Sequence, residues 1–574
     1  MMSSSKKRSA GEGGFAQDDD SKQGIIRARR QRVKVSSPSN KILQNSQFLD
    51  DKKCLWQQGM EQLNERTKKI FEEIETHEDI FFACIEYIRQ RDWIQQRYNP
   101  SCGQVVAMGS DDAYQLGIAA SSDADKECEY PPTFVNQVGK RVAHVAGGGL
   151  HSLALTEAGK VFTFGVNDDN ALGRGVIDVE KLHLVEPITK GIRKEDYNQI
   201  VAIDSGDSHS LFLSIKGNVY QCGMYKDVDS GKFRDVPIGS SESPKGNNTY
   251  PTLVDLPGPV RDIEAGEAFN AAILEDGELY TWGMGHFGQL ARSKKMGAIP
   301  KKDEQGSTIA GVYELGKMWI GEEYETGEYE RDVKGNKKLD ESGEPIKVTA
   351  YRYHEDLIRE KFLKPAPVCW ADPHPKRCVL SVACGELFIL VVARDAEFDT
   401  KVYSAGHNGY GQLGHGDEKE RHELTSIKDL EKKLIKTVAA GTSHGLALDM
   451  GGNAVFAWGR SDYGQVGVLD DIKGGDIEKS PKQVAFPKSL EGTRIKDICT
   501  GASVSMAITE EHDVYTWGFG ESCATGHIGS DDITRPKKLD VLQKAYGKTG
   551  PTNCHVLGAA GGAQHSLMII ERFA

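Results

Sequence analysis

The sequence predicts an all-β fold, a seven-bladed β-propeller, and three observations lead to it. A half-unit of the form V-Y-x-W-G-x-x-x-x-G-Q-L-G occurs seven times, and a second half-unit, G-x-x-H followed by an apolar strand, alternates with it. The chain enters the repeats within one half-unit and leaves them after the other. A fixed period in this range is typical of repeat architectures, among them propellers.

One recurrent glycine in each repeat sets the period. These marker glycines are Gly109, Gly165, Gly223, Gly283, Gly406, Gly459 and Gly518. They are 56, 58, 60, 123, 53 and 59 residues apart, so the long gap holds a repeat and an insertion, which we place at about residues 294–364. The insertion is charged and has turn signals at 335–336 and 342–343, but its sequence assigns it no role.

Two β-rich runs joined by a glycine turn predict a hairpin, so each repeat is a small antiparallel sheet. The first half-unit (Gly103 to Gly117) and the last (Gly562 to Ile570) complement each other. We therefore expect the N- and C-terminal segments to complete one shared blade, which closes the ring and protects the edge strands. The propeller would cover residues 99–574.

The segments before the propeller differ from it in composition. Residues 1–41 carry ten Lys/Arg and four Asp/Glu, a net of +6, so the rest carries −13 − 6 = −19. We expect residues 1–46 to be a disordered basic tail that serves nuclear import or contacts phosphate, the alternative being a solvated tail without a partner. Its clustered basic residues are Lys6, Lys7, Arg8, Arg27, Arg29, Arg30, Arg32 and Lys34. Apolar spacing over residues 47–98 predicts a helical extension.

Composition excludes several other classes. No apolar stretch approaches the roughly 20 residues of a membrane span, and the polar, basic start is unlike a secretory leader. Eleven cysteines without a C-x-x-C pair argue against a disulfide framework. Cys369, His374, Cys378 and Cys384 fit no common zinc spacing, so we expect neither metal nor cofactor.

The pairing of G-x-x-H-[ST] with [YF]-x-[WF]-G-x-N-x-x-G-Q-L-G resembles the regulator of chromosome condensation family. The resemblance covers all seven repeats and is carried in order by GVNDDNALGR (165–174), SGDSHSLFL (205–213), AGTSHGLALD (440–449), GASVSMAIT (501–509) and AGGAQHSL (560–567). It implies guanine-nucleotide exchange on the small GTPase Ran in the nucleus. Many propellers of this family have no exchange activity, so the alternative is a non-enzymatic scaffold that binds another nuclear or chromatin partner.

Candidate GTPase contacts come from the repeat positions and from the resemblance. The residue after the glycine of G-x-x-H is acidic in three successive repeats, at Asp207, Glu267 and Glu386, and such positions form a ring in a closed propeller. The histidine slot also accepts Phe and Val, which indicates a partly structural role. The resemblance implies that Asp168, Asp207, His444 and His565 act in exchange. It also implies GTPase contacts at Asp112, His151 and Lys226, and at Asp178 and Glu180 on a β-wedge.

The resemblance further implies attachment to chromatin through the basic tail and an extended loop. The loop candidate is Phe233 to Tyr250, with Arg234 and Lys245. The partners implied are Ran, histones or the nucleosome, DNA phosphate and a nuclear import carrier. Because the rest of the chain, with a net charge of −19, repels DNA broadly, basic attachment must be local.

Overall fold

The structure is a computed structural model. It describes residues 101–118, 129–167, 169–175, 184–225, 236–237, 249–285, 287–292, 299–302, 308–314, 321–329, 337, 345, 347–353, 363–372, 377–395, 400–468, 476–490, 492–527, 529, 531–540 and 554–572. The predicted tail (1–46) and helical extension (47–98) lie outside these residues and stay predictions.

Seven antiparallel sheets form the blades, whose strands run in order from the inner to the outer edge. Blade 1 has β3 (Val142–Gly147), β4 (His151–Thr156), β5 (Val161–Gly165) and β6 (Glu186–Pro187). Blade 2 has β7 (Ile200–Ser205), β8 (His209–Ser214) and β9 (Val219–Tyr225), with β10 (Val236–Pro237) and β11 (Thr252–Leu253) outside. Blade 3 has β12 (Val260–Ala265), β13 (Phe269–Leu274), β14 (Leu279–Gly283) and β19 (Ala366–Pro367).

The remaining blades follow the same order. Blade 4 has β20 (Cys378–Cys384), β21 (Phe388–Arg394), β22 (Thr400–Gly406) and β23 (Arg421–Ser426). Blade 5 has β24 (Ile435–Ala440), β25 (His444–Asp449), β26 (Val455–Arg460) and β27 (Ile477–Gln483). Blade 6 has β28 (Ile495–Thr500), β29 (Val504–Thr509), β30 (Val514–Gly518) and β31 (Ile533–Leu539). Short 3-10 helices span Lys428–Leu430 and Lys488–Leu490.

Blade 7 is the shared blade that closes the ring. Its order is β32 (Cys554–Gly561), β33 (His565–Arg572), β1 (Gln104–Ser110) and β2 (Glu129–Phe134). The first and last strands of the repeat region, β1 and β33, pair in register from Gln104 opposite Ile570 to Gly109 opposite His565. The predicted seven-bladed propeller, closed by a shared blade, is confirmed.

The insertion between β14 and β19 forms two hairpins of its own. One pairs β15 (Ile299–Lys302) with β16 (Thr308–Glu314), and the other pairs β17 (Gly321–Tyr329) with β18 (Lys347–Tyr353). Neither belongs to a blade sheet. Within the described residues, no helix has both the length and the apolar character needed to cross a bilayer.

The tryptophan of the repeat motif packs between blades. Trp282, Trp458 and Trp517 are fully buried, and each indole N–H donates to a glutamine of the preceding blade. The acceptors are Gln221 Oε1 at 2.8 Å, Gln412 O at 2.7 Å and Gln465 O at 2.9 Å, respectively. A buried indole needs such a partner, so one side chain fills the space between two sheets and also links them.

Two sets of loops share one face, which we call the upper face. In each blade, the residue after the marker glycine donates its N–H to the carbonyl just before the histidine slot. These bonds are Ser110 to Gln564, Val166 to Leu150, Met224 to Ser208, Met284 to Ala268, His407 to Leu387, Arg460 to Ser443 and Phe519 to Ser503. The G-x-x-H turns and the residues directly after the marker glycines therefore lie together in each blade.

Candidate partner-binding face

Seven glycines surround the centre of the upper face. They are the first residues of the G-x-x-H turns: Gly148, Gly206, Gly266, Gly385, Gly441, Gly501 and Gly562. A Cβ on any of them would lie under 3.0 Å from the carbonyl oxygen of the equivalent glycine in the next blade, and Gly562 completes the circle against Gly148. Glycine is required at these positions because the backbones of neighbouring blades approach this closely.

The residue after each glycine forms a second ring, which we call the rim. Backbone hydrogen bonds join it across blades, with Gly149 N donating to Asp207 O at 3.1 Å and Asp207 N to Glu267 O at 3.0 Å. Thr442 N donates to Ala502 O at 2.9 Å on the far side. Asp207, Glu267 and Glu386 are half-buried and occupy the rim of blades 2, 3 and 4. The acidic side chains are thus confined to one side of the ring.

Asp207 is held in place by its neighbours. Ser208 Oγ donates to Asp207 Oδ2 at 3.0 Å. The other oxygen, Asp207 Oδ1, lies against Gly149 of blade 1. A Cβ added to Gly149 would come within 3.0 Å of this oxygen. The absence of a side chain at position 149 makes room for this carboxylate on the rim. A positioned, half-exposed carboxylate can accept hydrogen bonds from a basic partner at little cost in side-chain entropy.

Further carboxylates lie on the inner strands directly beneath the acidic rim. Asp204 Oδ2 accepts a hydrogen bond from Ala265 N at 2.6 Å, and Glu264 is the equivalent residue of the next blade. Burial raises the pKa of Asp204 to about 7. Burial and the nearby Asp204 also raise the pKa of Glu264 well above its usual range. Nothing in the repeat pattern singled out this pair.

The histidine slot forms a third ring, which is buried. His151, His209, His444 and His565 are at most 2% exposed, and each Nε2 pairs with a polar side chain of the next blade. The partners are Ser210 (3.0 Å), Asn270 (2.7 Å), Ser505 (2.9 Å) and Ser152 (2.8 Å), respectively. Burial lowers the pKa of His151 to about 3 and of the other three to about 4. These neutral rings link the blades, and the contact of His151, His444 and His565 with a GTPase stays a prediction.

Asp112 lies on the upper face and is exposed. Ser110 Oγ donates to its Oδ2 at 3.0 Å. Its neighbour Asp111 is turned inward, where Oδ1 accepts from Leu116 N at 2.8 Å and burial raises its pKa to about 6. The loop therefore holds one structural acid, Asp111, and one acid that is available to a partner, Asp112. The resemblance points to Asp112.

The other predicted residues lie outside the described residues, and their roles stay predictions. They are Asp168, Asp178, Glu180, Lys226, Arg234, Lys245 and the eight clustered basic residues of the tail. Within the part of the chain that the structure describes, no three His, Cys, Asp or Glu side chains are grouped to hold a metal.

The upper face also exposes large apolar side chains. Four large hydrophobic residues are exposed among the described residues, and three of them lie there: Tyr114 (40%), Leu150 (45%) and Tyr410 (39%). Fold and site together define a closed propeller whose acidic rim and exposed apolar side chains share one face.

The chain belongs to the family of the RCC1-like domain, which matches residues 104–568. It is 26% identical to the regulator of chromosome condensation of Xenopus laevis over 82% of this chain and 90% of that protein. It is also 25% identical to the ultraviolet-B receptor UVR8 of Arabidopsis thaliana, over 70% of this chain and 82% of the receptor.

A solved structure has the same fold. Prp20p of Saccharomyces cerevisiae, a structure described together with its binding properties to Gsp1p and histones, is similar with a TM-score of 0.60 at 20% identity. The similarity covers 84% of this chain and 95% of that one. The relatives therefore share an architecture and differ in what their names say they do.

Proposed function

We propose that the protein is a guanine-nucleotide exchange factor for the small GTPase Ran and acts on chromatin in the nucleus. The observation that carries the proposal is the acidic rim, above all Asp207 over Gly149 at the centre of the upper face. Support also comes from the similarity to regulators of chromosome condensation over most of the chain.

Exchange needs no covalent chemistry. A GTPase that holds its nucleotide at picomolar affinity gains about 16 kcal/mol from it. An exchange factor weakens this by binding the nucleotide-free form more tightly than the loaded form, and the coupling is reciprocal, so incoming nucleotide expels the factor. Nucleotide phosphates are held by backbone amides, a lysine and magnesium. Rigid carboxylates such as Asp207 suit competition for those cationic groups.

The charge distribution favours a basic partner. Asp207, Glu267 and Glu386 occupy adjacent rim positions in blades 2, 3 and 4. Opposite charge on the GTPase would speed encounter and fix orientation, and the effect would weaken with salt.

The test is release of fluorescent GDP from Ran at catalytic amounts of the full-length protein. We expect the parent to accelerate release and Asp207→Asn to reduce kcat/KM by about tenfold or more, the cost typical of a central interface residue. Glu510→Gln is the matched control, because Glu510 is an exposed acid in the β29–β30 turn on the opposite face. An inactive parent protein would refute the proposal, as would equal loss in both variants.

A second candidate is a propeller scaffold with another partner. It is favoured by the similarity, at nearly equal identity, to a protein named as an ultraviolet-B receptor. The same assay separates the two, because a scaffold leaves GDP release at its uncatalysed rate.

Chromatin attachment and nuclear import are proposed for the basic tail, on its net charge of +6. Replacing Arg27, Arg29, Arg30 and Arg32 by Ala in the full chain should weaken nucleosome binding and reduce its salt dependence. Binding with an unchanged salt slope would contradict this assignment.

A further inference from the structure

Four side chains form a continuous stack on the upper face, across blades 4, 5 and 6. We call Tyr410, Arg460, Tyr463 and Phe519 the aromatic ladder. The Arg460 guanidinium lies 5.1 Å from the ring centroids of both Tyr410 and Tyr463. The Tyr463 and Phe519 rings meet edge to face at 4.8 Å. Tyr410 is 39% exposed and the other three are half-buried, so the stack presents part of its surface to solvent.

The ladder is rigid before any partner arrives. The buried glutamines of the repeat motif fix its loops, since Gln412 Oε1 accepts from Tyr410 N at 2.9 Å and Gln465 Oε1 from Tyr463 N at 3.0 Å. Asp462 holds Arg460 through hydrogen bonds of 2.8, 2.9 and 2.8 Å. A surface whose side chains are already ordered loses little entropy on binding.

The charge beside the ladder is negative. Arg460 is neutralised by Asp462, and Glu521, Asp531 and Asp532 are exposed next to Phe519. Asp532 Oδ1 accepts from Gly520 N at 2.9 Å. Partial burial, with Asp462, Glu521 and Asp531 nearby, raises the pKa of Asp532. A cation from a partner would relieve this repulsion.

These features define the chemistry that fits. Aromatic faces and carboxylates together attract lysine and arginine side chains through cation–π and ionic contacts. Tyr and Arg are also the residue types that most often dominate binding energy at interfaces. The ladder lies on the same face as the acidic rim, and blade 4 contributes to both, with Glu386 on the rim and Tyr410 in the ladder.

We propose that the aromatic ladder and its flanking acids are a second docking site for basic side chains of the GTPase, which sets affinity rather than nucleotide release. This inference rests on the proposed exchange function. The rim would act on the nucleotide-free state, whereas the ladder would bind loaded and nucleotide-free GTPase alike. Uniform binding of this kind lowers KM and leaves kcat unchanged.

The experiment measures release of fluorescent GDP from Ran as a function of Ran concentration, with full-length protein. Tyr410→Ala should raise KM about tenfold at unchanged kcat. Leu434→Ala is its control, because Leu434 is equally exposed (39%) and its carbonyl accepts from Met450 in a turn of the opposite face. Glu521→Lys with Asp531→Lys should also raise KM and weaken its salt dependence, while Glu510→Lys should not.

The outcomes separate the two proposals. A parent without GDP release refutes the exchange function itself. An active parent whose KM is unchanged by Tyr410→Ala and by the Glu521→Lys, Asp531→Lys pair overturns the ladder inference alone. Loss of binding to histone octamers in these variants, with Ran kinetics intact, also overturns it and assigns the surface to histones.

Discussion

The rim and the histidine ring lie two residues apart on the same loops, yet they do different things. Asp207 is half-exposed, with an oxygen over Gly149, whereas His209 is fully buried and paired with Asn270. The recurrent histidine links one blade to the next, and the variable residue directly after the glycine is at least partly exposed in six of the seven blades. The residues that recur in the repeats therefore hold the ring together, and the residues that vary between repeats are the ones available to a partner.

The histidine ring is not uniform, and its exceptions are informative. Phe269 and Phe388 fill the slot in blades 3 and 4 and pack against Gly266 and Gly385, as the histidine rings pack against their own glycines. Val504 does not reach Gly501, whose nearest neighbours belong to Gly561 and Gly562. Ser566, the expected partner of that slot, is buried without a hydrogen bond to its Oγ. Phe269 and Phe388 show that an aromatic ring without a hydrogen-bonding group can fill the slot.

The largest expected effect comes from breaking the glycine ring. Gly562→Ala places a Cβ under 3.0 Å from both Gly148 O and His565 Cε1, so we expect a loss of about 3 kcal/mol or more in the free energy of unfolding. Gly558→Ala is the matched control on β32, because a Cβ there meets nothing within 4 Å. Chemical denaturation of both variants measures the difference. Equal stability would mean that the blades do not close as tightly as described.

The next effect tests the burial of the histidine ring through pH. The folded pKa of His444 is about 4, below its ordinary value of 6.5. The unfolded chain therefore binds the proton first, and the stability that depends on neutral His444 is complete above pH 6.5 and is lost as the pH falls towards 4. His444→Phe removes this dependence, so the slope of the free energy of unfolding between pH 6 and 5 should fall by about 1.2 kcal/mol per pH unit.

The comparison must be made against the parent, because other buried groups act in the opposite sense. Asp204, with a pKa raised to about 7, gains a proton in the folded state as the pH falls and offsets part of the histidine effect. Subtracting the parent curve from that of His444→Phe cancels this contribution. Identical slopes would show that the ring of His444 is reached by solvent in the folded protein.

The sequence predicts the fold far better than the site. The marker glycines and the two half-units were enough to predict seven blades and the closure of the ring, because every blade repeats the same backbone contacts. The repeat frame and the resemblance both point to Asp207 on the rim, and the resemblance alone points to Asp112; their roles in exchange stay predictions. The presence of Phe and Val in the histidine slot predicts a partly structural role, which agrees with the burial of His444 and His565. The complete burial of these rings could not be predicted, since G-x-x-H is the same for a surface and a buried histidine.

The ladder was missed for a different reason. Tyr410 and Tyr463 both occupy the fourth position after a marker glycine, and Arg460 and Phe519 occupy the first. These repeat positions were visible in the sequence. Most contacts of the ladder join adjacent blades, however, and only Arg460 and Tyr463 belong to the same repeat. Only the order of blades around the ring brings the rest together.

A smaller effect separates a packing role of His444 from a role in exchange. At pH 7.5, we expect His444→Phe to lower the free energy of unfolding by about 1 kcal/mol, through loss of the bond to Ser505, and to leave GDP release from Ran intact. Phe388 in the preceding blade shows that the slot accepts this ring. Slower release by the folded variant would instead support the GTPase contact that the resemblance implies.

The smallest effect would complete the ring at its one short side chain. Val504→His places an imidazole in the slot of blade 6, from which its Nε2 should reach Ser566 as His444 Nε2 reaches Ser505. A new buried hydrogen bond to an unpaired hydroxyl should add about 1 kcal/mol to the free energy of unfolding at pH 7.5. It should also steepen the loss of stability below pH 6.5, because one more neutral histidine would be buried.

Thermal unfolding at pH 7.5 and at a pH below 6.5 measures the added stability and its pH dependence. Val504→Phe is the control, because it fills the slot without a hydrogen bond. Equal gains in the two variants would show that ring packing, rather than the hydrogen bond to the next blade, is what the histidine slot contributes.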